Sequence, residues 1–147
     1  ANIDHQILIS ILQNRIQDKE VILLLENIIT SFETKSGKGL PLGNLTSQLL
    51  VNVYMNEFDQ FIKHRLKAKY YLRYADDFVV LSSDREYLEN MLQHIQQFLA
   101  EKLMLQLHPH KVSISTVASG VDFLGWVHFP HHRVLRTVTK RRVFKGY

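Results

Sequence analysis

Apolar residues recur at helical spacing near the start of the chain and predict two helices. The first helix starts near Asn2, which is a candidate N-cap. Its apolar stripe is Ile3, Ile7, Ile11, Leu12 and Ile16. Asp18 is the predicted N-cap of the second helix. The predicted buried face of that helix is Val21, Leu24, Leu25, Ile28, Ile29 and Phe32.

Two longer helices are predicted further along the chain. Residues 34–43 contain three glycines and a proline, which predicts a loop before the third helix. That helix extends over about residues 44–66, with a stripe of Leu45, Leu49, Val53, Phe61, Ile62 and Leu66. Ser83 and Glu86 fit a capping box that opens the fourth helix, which ends near Lys102. Its inward residues are Leu88, Met91, Leu92, Ile95, Phe98, Leu99 and Leu103.

Aromatic and β-branched residues predict strands between and after these helices. Residues 70–76 and 78–81 read as a hairpin that holds Asp76 and Asp77 at its tip. Shorter strands are predicted at residues 105–107, 112–116 and 121–126, and a further hairpin at residues 127–135. The order of these elements predicts an α+β fold, in which helices pack on one face of an antiparallel sheet.

The composition indicates one folded domain. The chain has 147 residues, of which 46% are hydrophobic, so it can bury a core of its own. Its net charge of +4 suits a polyanionic partner. The absence of cysteine excludes disulfides and thiolate metal sites. Since the sequence shows neither a long apolar run nor a signal peptide, we expect no membrane partner and a cytoplasmic location.

The adjacent aspartates at the predicted hairpin tip are the main candidates for chemistry. Asp is a poor strand residue, so its doubling at Asp76 and Asp77 needs a reason. The simpler reason is that Asp favours turns. The sharper reason is that two carboxylates supply oxygen ligands to a divalent metal such as Mg²⁺. The hairpin residues by themselves leave both explanations open.

Two other groups of polar residues invite a functional interpretation. The first turn of the third predicted helix contains Asn44, Thr46, Ser47 and Gln48, which fit either ordinary capping or contacts to a phosphate or base. Several histidines cluster in two turns, namely His108, His110, His128, His131 and His132. Without cysteine or a well-spaced carboxylate they are weak zinc ligands, so we interpret them as exposed turn residues.

Taken together, the motifs resemble the palm of a reverse transcriptase. Residues 74–77, Tyr-Ala-Asp-Asp, are similar to the aromatic-X-Asp-Asp signature of RNA-directed DNA polymerases. Residues 39–48 are similar to the family's loop–helix motif, which contacts template and incoming nucleotide. Lys111 stands where the family has a lysine after the next helix. Residues 121–126 look like the primer-grip hairpin, and residues 2–5 resemble the tail of the motif that carries the first catalytic aspartate.

The resemblance implies a two-metal site for nucleotidyl transfer. Asp76 and Asp77 would be its metal ligands, and Lys111 would place a positive charge or a proton near the leaving pyrophosphate. The residues expected at template, primer or nucleotide are Gly43, Asn44, Ser47, Gln48, Tyr74, Ala75, Gly125 and Trp126. For Lys111 and Trp126, a solvated lysine and a core side chain remain alternatives. The implied cofactor is Mg²⁺, and the implied partners are an RNA template, a DNA primer or cDNA, dNTPs and an accessory protein of a retroelement.

Departures from the family pattern suggest a subtype and a partial domain. Leu42-Gly43 and Ser47-Gln48 stand where group II intron enzymes usually have Gln-Gly and Ser-Pro. The pattern Leu-Gly-Asn-x-x-Ser-Gln is similar to that of diversity-generating retroelement enzymes, which copy a template RNA with errors at adenines. The resemblance places the first metal-binding aspartate and the fingers before Ala1. We therefore expect residues 1–130 to be a partial palm, residues 131–147 to start the thumb connection, and the isolated fragment to be inactive.

Two other functions fit the same residues. The aromatic residues of the sheet and a basic C-terminus suit a non-catalytic RNA-binding or scaffold module. The basic residues are Arg133, Arg136, Lys140, Arg141, Arg142 and Lys145. A group II intron maturase is the other alternative, and it would require splicing domains downstream.

Overall fold

A computed structural model describes residues 2–40 and 45–145, and the fold in these ranges is α+β, as predicted. The helices are α1 (His5–Gln13), α2 (Lys19–Thr30), α3 (Leu45–Gln60), α4 (Arg85–Leu103) and α5 (Thr137–Lys145). The strands are β1 (Tyr70–Tyr74), β2 (Asp77–Leu81), β3 (Val121–Phe123), β4 (Trp126–His128) and β5 (Arg133–Leu135). They form two antiparallel sheets, β1-β2 and β3-β4-β5, rather than one.

Aspartates cap three of the helices, and two of these differ from the predicted caps. The Asp18 carboxylate accepts hydrogen bonds from the first turn of α2, as predicted. The cap of α1 is Asp4 rather than Asn2, and the cap of α4 is Asp84 rather than Ser83. Both corrections have one cause, because the capping side chain must come from the extended residue directly before the first helical turn.

The hydrophobic core lies where α3 packs against α1 and α4. Tyr54, Phe58 and Ile62 are fully buried along α3 and the π-helical turn that continues it, Phe61–Arg65. The predicted stripe was wrong at its start, since Leu45 and Leu49 are exposed. The buried line runs about one position further along the helix because α1 and α4 cover that face.

Helix α2 buries much less of its apolar surface than predicted. Of the predicted face only Ile29 is buried, and Leu25 is half-buried. The other four members of that face are exposed, namely Val21, Leu24, Ile28 and Phe32. The reason is that α2 packs mainly against α1, so one neighbouring helix covers only part of the broad apolar face of α2.

Two predicted strands are absent from the described part of the chain. Residues 105–107 and 112–116 form no ladder, and 3₁₀ turns occur at Pro109–Lys111 and Val117–Ser119. Val112 and Ile114 are half-buried while Ser113 is exposed, so the side-chain alternation is present. Alternation gives a strand only when a neighbouring strand supplies the hydrogen bonds.

The loop before α3 is fastened to the start of α1. The buried His5 places its Nε2 atom 2.7 Å from the carbonyl oxygen of Gly39. The Gly39 N–H donates to the carbonyl of Ile3, and Lys38 forms an ion pair with Asp4. Residues 2–5, which resemble the tail of a catalytic motif, therefore anchor the loop and cap α1 in the structure.

In the C-terminal part of the fold, the predicted hairpin at residues 127–135 is confirmed as β4-β5. The predicted domain boundary at residue 130 falls between these two paired strands, and a thumb connection after it stays a prediction. No helix in residues 2–40 and 45–145 is both long and apolar enough to cross a membrane.

Candidate active site

The Tyr-Ala-Asp-Asp segment forms the tip of the β1-β2 hairpin, as predicted. The strands pair from Tyr70 with Leu81 to Tyr74 with Asp77, which leaves Ala75 and Asp76 as a two-residue turn. Ala75 has a φ of 52°, a left-handed value at which a turn of this length usually has glycine. A non-glycine residue at such a φ costs about 1–3 kcal/mol, so the surrounding structure must hold the turn in place.

The two aspartates are arranged in a way that suits a hydrated magnesium ion. Asp76 lies in the turn and Asp77 opens β2, and both are exposed. Mg²⁺ in phosphoryl-transfer sites is held by one or two carboxylates and keeps several waters, which requires such open access. In the described residues no group of three or more His, Asp or Glu side chains is placed to hold a metal. The pair therefore fits part of a metal site.

A cavity brings the three predicted catalytic residues together. It has a volume of about 390 Å³ and lies between β2, α4 and the segment after α4. Asp76, Asp77 and Lys111 all line it. Lys111 ends a 3₁₀ turn, and its N–H donates to the carbonyl of His108 over 2.9 Å. The structure thus places an exposed cation and two carboxylates around one space, while their catalytic roles stay predictions.

A second pair of charged residues lies beside this cavity. Asp122 of β3 lines the cavity and forms an ion pair with Arg136. That carboxylate raises the pKa of Arg136, and Asp77 adds a smaller effect in the same direction. The Arg136 N–H also donates to the carbonyl of Gly125 over 2.9 Å. Arg136 therefore connects the β3-β4 hairpin to the edge of the aspartate site.

The turn of the β3-β4 hairpin does not line the cavity. Val121 and Asp122 line it, whereas the turn follows Phe123, the last residue of β3. Leu124 and Gly125 have φ values of 54° and 82°, so both central residues of the turn are left-handed. That combination is typical of a type I′ turn. The Trp126 ring is half-buried, and the Arg133 guanidinium lies 4.7 Å from its centre. Gly125 and Trp126 do not line the cavity, and contact with a primer stays a prediction.

The other residues predicted to contact template, primer or nucleotide differ in their exposure. Tyr74 and Ala75 are exposed next to the aspartates, which suits contact with a substrate. Gly43 and Asn44 lie outside the described residues. Ser47 is 7% exposed, and among the described residues its hydroxyl has no hydrogen-bond partner, whereas Gln48 is exposed. Their proposed contacts with template or nucleotide stay predictions.

Sequence reasoning missed a hydrogen-bond network under the hairpin. The Arg73 guanidinium donates from Nε and Nη2 to both carboxylate oxygens of Asp59, over 2.7 and 2.6 Å. The Tyr71 hydroxyl donates to the same carboxylate over 2.6 Å. Arg73 Nη1 donates to the carbonyl of Ala75 over 2.7 Å and to Asn52 over 3.2 Å. Neither helical nor strand periodicity reveals this network, because it joins a helix to a strand and its ion pair spans 14 residues.

The network also shifts the protonation of its members. Burial disfavours the charged form of Asp59, but the hydrogen bonds from Arg73 and Tyr71 more than offset it. The pKa of Asp59 is therefore below its ordinary value. Hydrogen bonding to Asp59 raises the pKa of Arg73. Both groups are charged at neutral pH, so the ion pair is intact there.

The pH dependence of the free energy of unfolding tests the lowered pKa of Asp59. Because its pKa is lower in the folded protein, it contributes stability that is present above the unfolded-state pKa and lost as pH falls through the folded-state value. We expect the free energy of unfolding to fall below about pH 4, with a shallower decline in Asp59→Asn. Urea unfolding between neutral pH and about pH 3 measures both slopes, and equal slopes would contradict the assignment.

Comparison with known proteins identifies relatives of this chain. Protein YkfC of Escherichia coli (strain K12) is 27% identical over 172 residues, covering 91% of this chain and 44% of YkfC. Group II intron-encoded protein LtrA of Lactococcus lactis subsp. cremoris is 24% identical over 193 residues, covering 85% of this chain and 32% of LtrA. The chain thus spans less than half the length of these curated relatives.

The family comparison agrees with the geometry of the hairpin. The family model described as reverse transcriptase (RNA-dependent DNA polymerase) matches residues 1–128. The match includes the Tyr-Ala-Asp-Asp tip, Lys111 and the β3-β4 hairpin, and it covers most of the chain. This protein therefore belongs to the reverse transcriptase family.

Proposed function

We propose that this chain is the palm of an RNA-directed DNA polymerase and carries part of its metal site. The observation that supports the proposal is the cavity shared by Asp76, Asp77 and Lys111 in a chain of this family. An RNA template, a DNA primer and dNTPs are the proposed substrates. Because the relatives are more than twice as long, this activity belongs to the full-length protein.

The proposed roles follow from charge and position. Mg²⁺, when bound, would polarise the phosphoryl oxygens and stabilise the attacking and leaving oxygens. Asp76 is the main proposed ligand, because it occupies the turn itself, and Asp77 is the supporting one. Lys111 would hold positive charge, or a proton, near the leaving pyrophosphate. Tyr74 and Ala75 would lie against the primer end, since they are exposed beside the aspartates.

The proposal requires a third carboxylate from a neighbouring strand. In the described residues β1 pairs only with β2, so its outer edge has unpaired backbone groups. The outward side chains of β1, Tyr70, Leu72 and Tyr74, are exposed and apolar or aromatic. A strand that pairs with this edge would take up its backbone hydrogen bonds and bring a carboxylate to the hairpin tip, next to this exposed face.

Primer extension tests the proposal directly. We expect the full-length protein to extend a DNA primer on an RNA template with Mg²⁺ and dNTPs, to stop when EDTA is added and to resume when Mg²⁺ is restored. Absence of metal-dependent extension would contradict the polymerase assignment. Residues 1–147 alone are expected to be inactive, and efficient extension by them would refute the need for a third carboxylate.

A second candidate role concerns a group II intron. LtrA is named as a group II intron-encoded protein, and this relationship favours a reverse transcriptase that serves such an intron. Error-prone copying in a diversity-generating retroelement, with an accessory protein, stays the prediction from the loop–helix motif. Sequencing of the cDNA separates the two, because the retroelement enzyme would introduce substitutions mainly at template adenines.

A further inference from the structure

We infer that Asp59 and Arg73 form a strut that fixes the turn carrying Asp76 and Asp77, which makes Arg73 a positioning residue for the metal site. The strut connects α3 to the peptide bond just before Asp76. Its consequence for catalysis rests on the proposed function. Its structural role stands independently, because it concerns the backbone of the hairpin.

The strut is rigid at its base. Arg73 and Asp59 form a two-pronged ion pair, and their side chains are only 10% and 22% exposed. Planar pairing of a guanidinium with a carboxylate restricts both distance and orientation. The Tyr71 hydroxyl is a third donor to Asp59. Since Tyr71 also contacts the Phe58 ring, the base of the strut is packed against the core.

At its other end, in the hairpin turn, the strut contacts a strained residue. Nη1 of Arg73 donates to the carbonyl oxygen of Ala75, the residue with the left-handed φ of 52°. This carbonyl belongs to the peptide bond that leads into Asp76. Its orientation therefore sets the direction in which Asp76 leaves the turn. Without the hydrogen bond, the strained turn has less to prevent it from rotating.

Substitution at Arg73 tests the effect on catalysis. In the full-length protein, Arg73→Met removes the guanidinium donors that contact Asp59 and Ala75, leaves the Tyr71 hydroxyl in place and keeps an unbranched side chain. We expect kcat to fall, and the Mg²⁺ concentration for half-maximal extension to rise, each by about 10–100-fold. Arg73→Lys should be intermediate, because one ammonium cannot reproduce the two-pronged contact and also reach Ala75.

Two control variants separate positioning from general damage. Arg85→Met removes another arginine that donates from Nε to a carboxylate, that of Glu89, but on the exposed face of α4. Tyr87→Phe removes a 2.9 Å hydrogen bond to Leu66 that holds α4 against the end of the π-helical turn. Both should keep the wild-type Mg²⁺ requirement. An equal rise in Tyr87→Phe would overturn the inference, because loss of stability would then explain it.

Hydrogen exchange tests the strut without an activity assay. We expect peptides covering residues 74–78 to exchange at least about 10-fold faster in Arg73→Met, while peptides of α4 exchange as in the wild type. Unchanged exchange at the turn would overturn the inference whether or not the protein polymerises. If Asp76→Asn retains activity while the turn loosens in Arg73→Met, the proposed function fails and the strut stands.

Discussion

Asp76→Asn is expected to abolish Mg²⁺-dependent DNA synthesis on an RNA template, with a loss of about a thousandfold or more in kcat. Asparagine has nearly the size of aspartate but carries no charge, so it would be a poor ligand for a hard divalent cation. Because Asp76 lies in an exposed turn, the substitution should leave folding intact. Primer extension measured over a range of Mg²⁺ concentrations provides the rate and the metal requirement.

Asp84→Asn is the matched control for this experiment. Asp84 is also exposed, but it caps α4 and does not line the cavity. Asparagine is as good an N-cap as aspartate, so both stability and activity should remain near the wild type. Full activity of Asp76→Asn would contradict the assignment of Asp76 as a catalytic metal ligand. Salt-sensitive RNA binding without any polymerase activity would instead support the non-catalytic RNA-binding module.

Phe58→Ala is expected to lower the free energy of unfolding by about 3–5 kcal/mol. The Phe58 ring is completely buried and lies edge-on to Phe78 at 5.0 Å and to Tyr71 at 6.2 Å. It also contacts Phe98 of α4 at 6.4 Å. The ring thus joins α3, the aspartate hairpin and α4, and its removal leaves a cavity at their junction. Urea unfolding followed by circular dichroism measures the loss.

Phe144→Ala provides the comparison for this core substitution. The Phe144 ring on α5 is 69% exposed, so its loss should change stability by less than about 0.5 kcal/mol. A loss in Phe58→Ala as small as that in Phe144→Ala would show that the hairpin does not depend on this packing. A large loss with a reduced denaturant slope would indicate that the variant no longer unfolds in one step.

Structural features that depend on residues close together in the sequence were predicted well. The β1-β2 hairpin was predicted because aromatic and β-branched residues flank two aspartates, and the structure confirms it. The Asp18 cap and most of α4 were also confirmed, since capping and helical periodicity depend on neighbouring residues. The caps of α1 and α4 were each displaced by one or two residues, because several candidate side chains stand side by side.

Features that depend on distant partners were not predicted. The exposed side of α2 and the missing ladder at residues 112–116 follow from which elements lie beside them, and the sequence does not state this. The contact of Arg73 with Asp59 spans 14 residues and joins a strand to a helix, so neither helical nor strand periodicity predicts it. Lys111 lines the cavity at the end of a 3₁₀ turn, and the strand predicted directly after it, at residues 112–116, is absent.

The sequence by itself determined the α+β class and the aspartate pair at a hairpin tip, because these depend on residue type and short spacing, and the resemblance of its motifs indicated the family that the family model shows. Only the tertiary structure decided what surrounds that pair. Packing of α4 and the segment after it against the hairpin creates the cavity shared with Lys111, and packing of α3 places Asp59 against Arg73. The physical reason is that burial and ion pairing are set by distances between segments, which chain order does not specify.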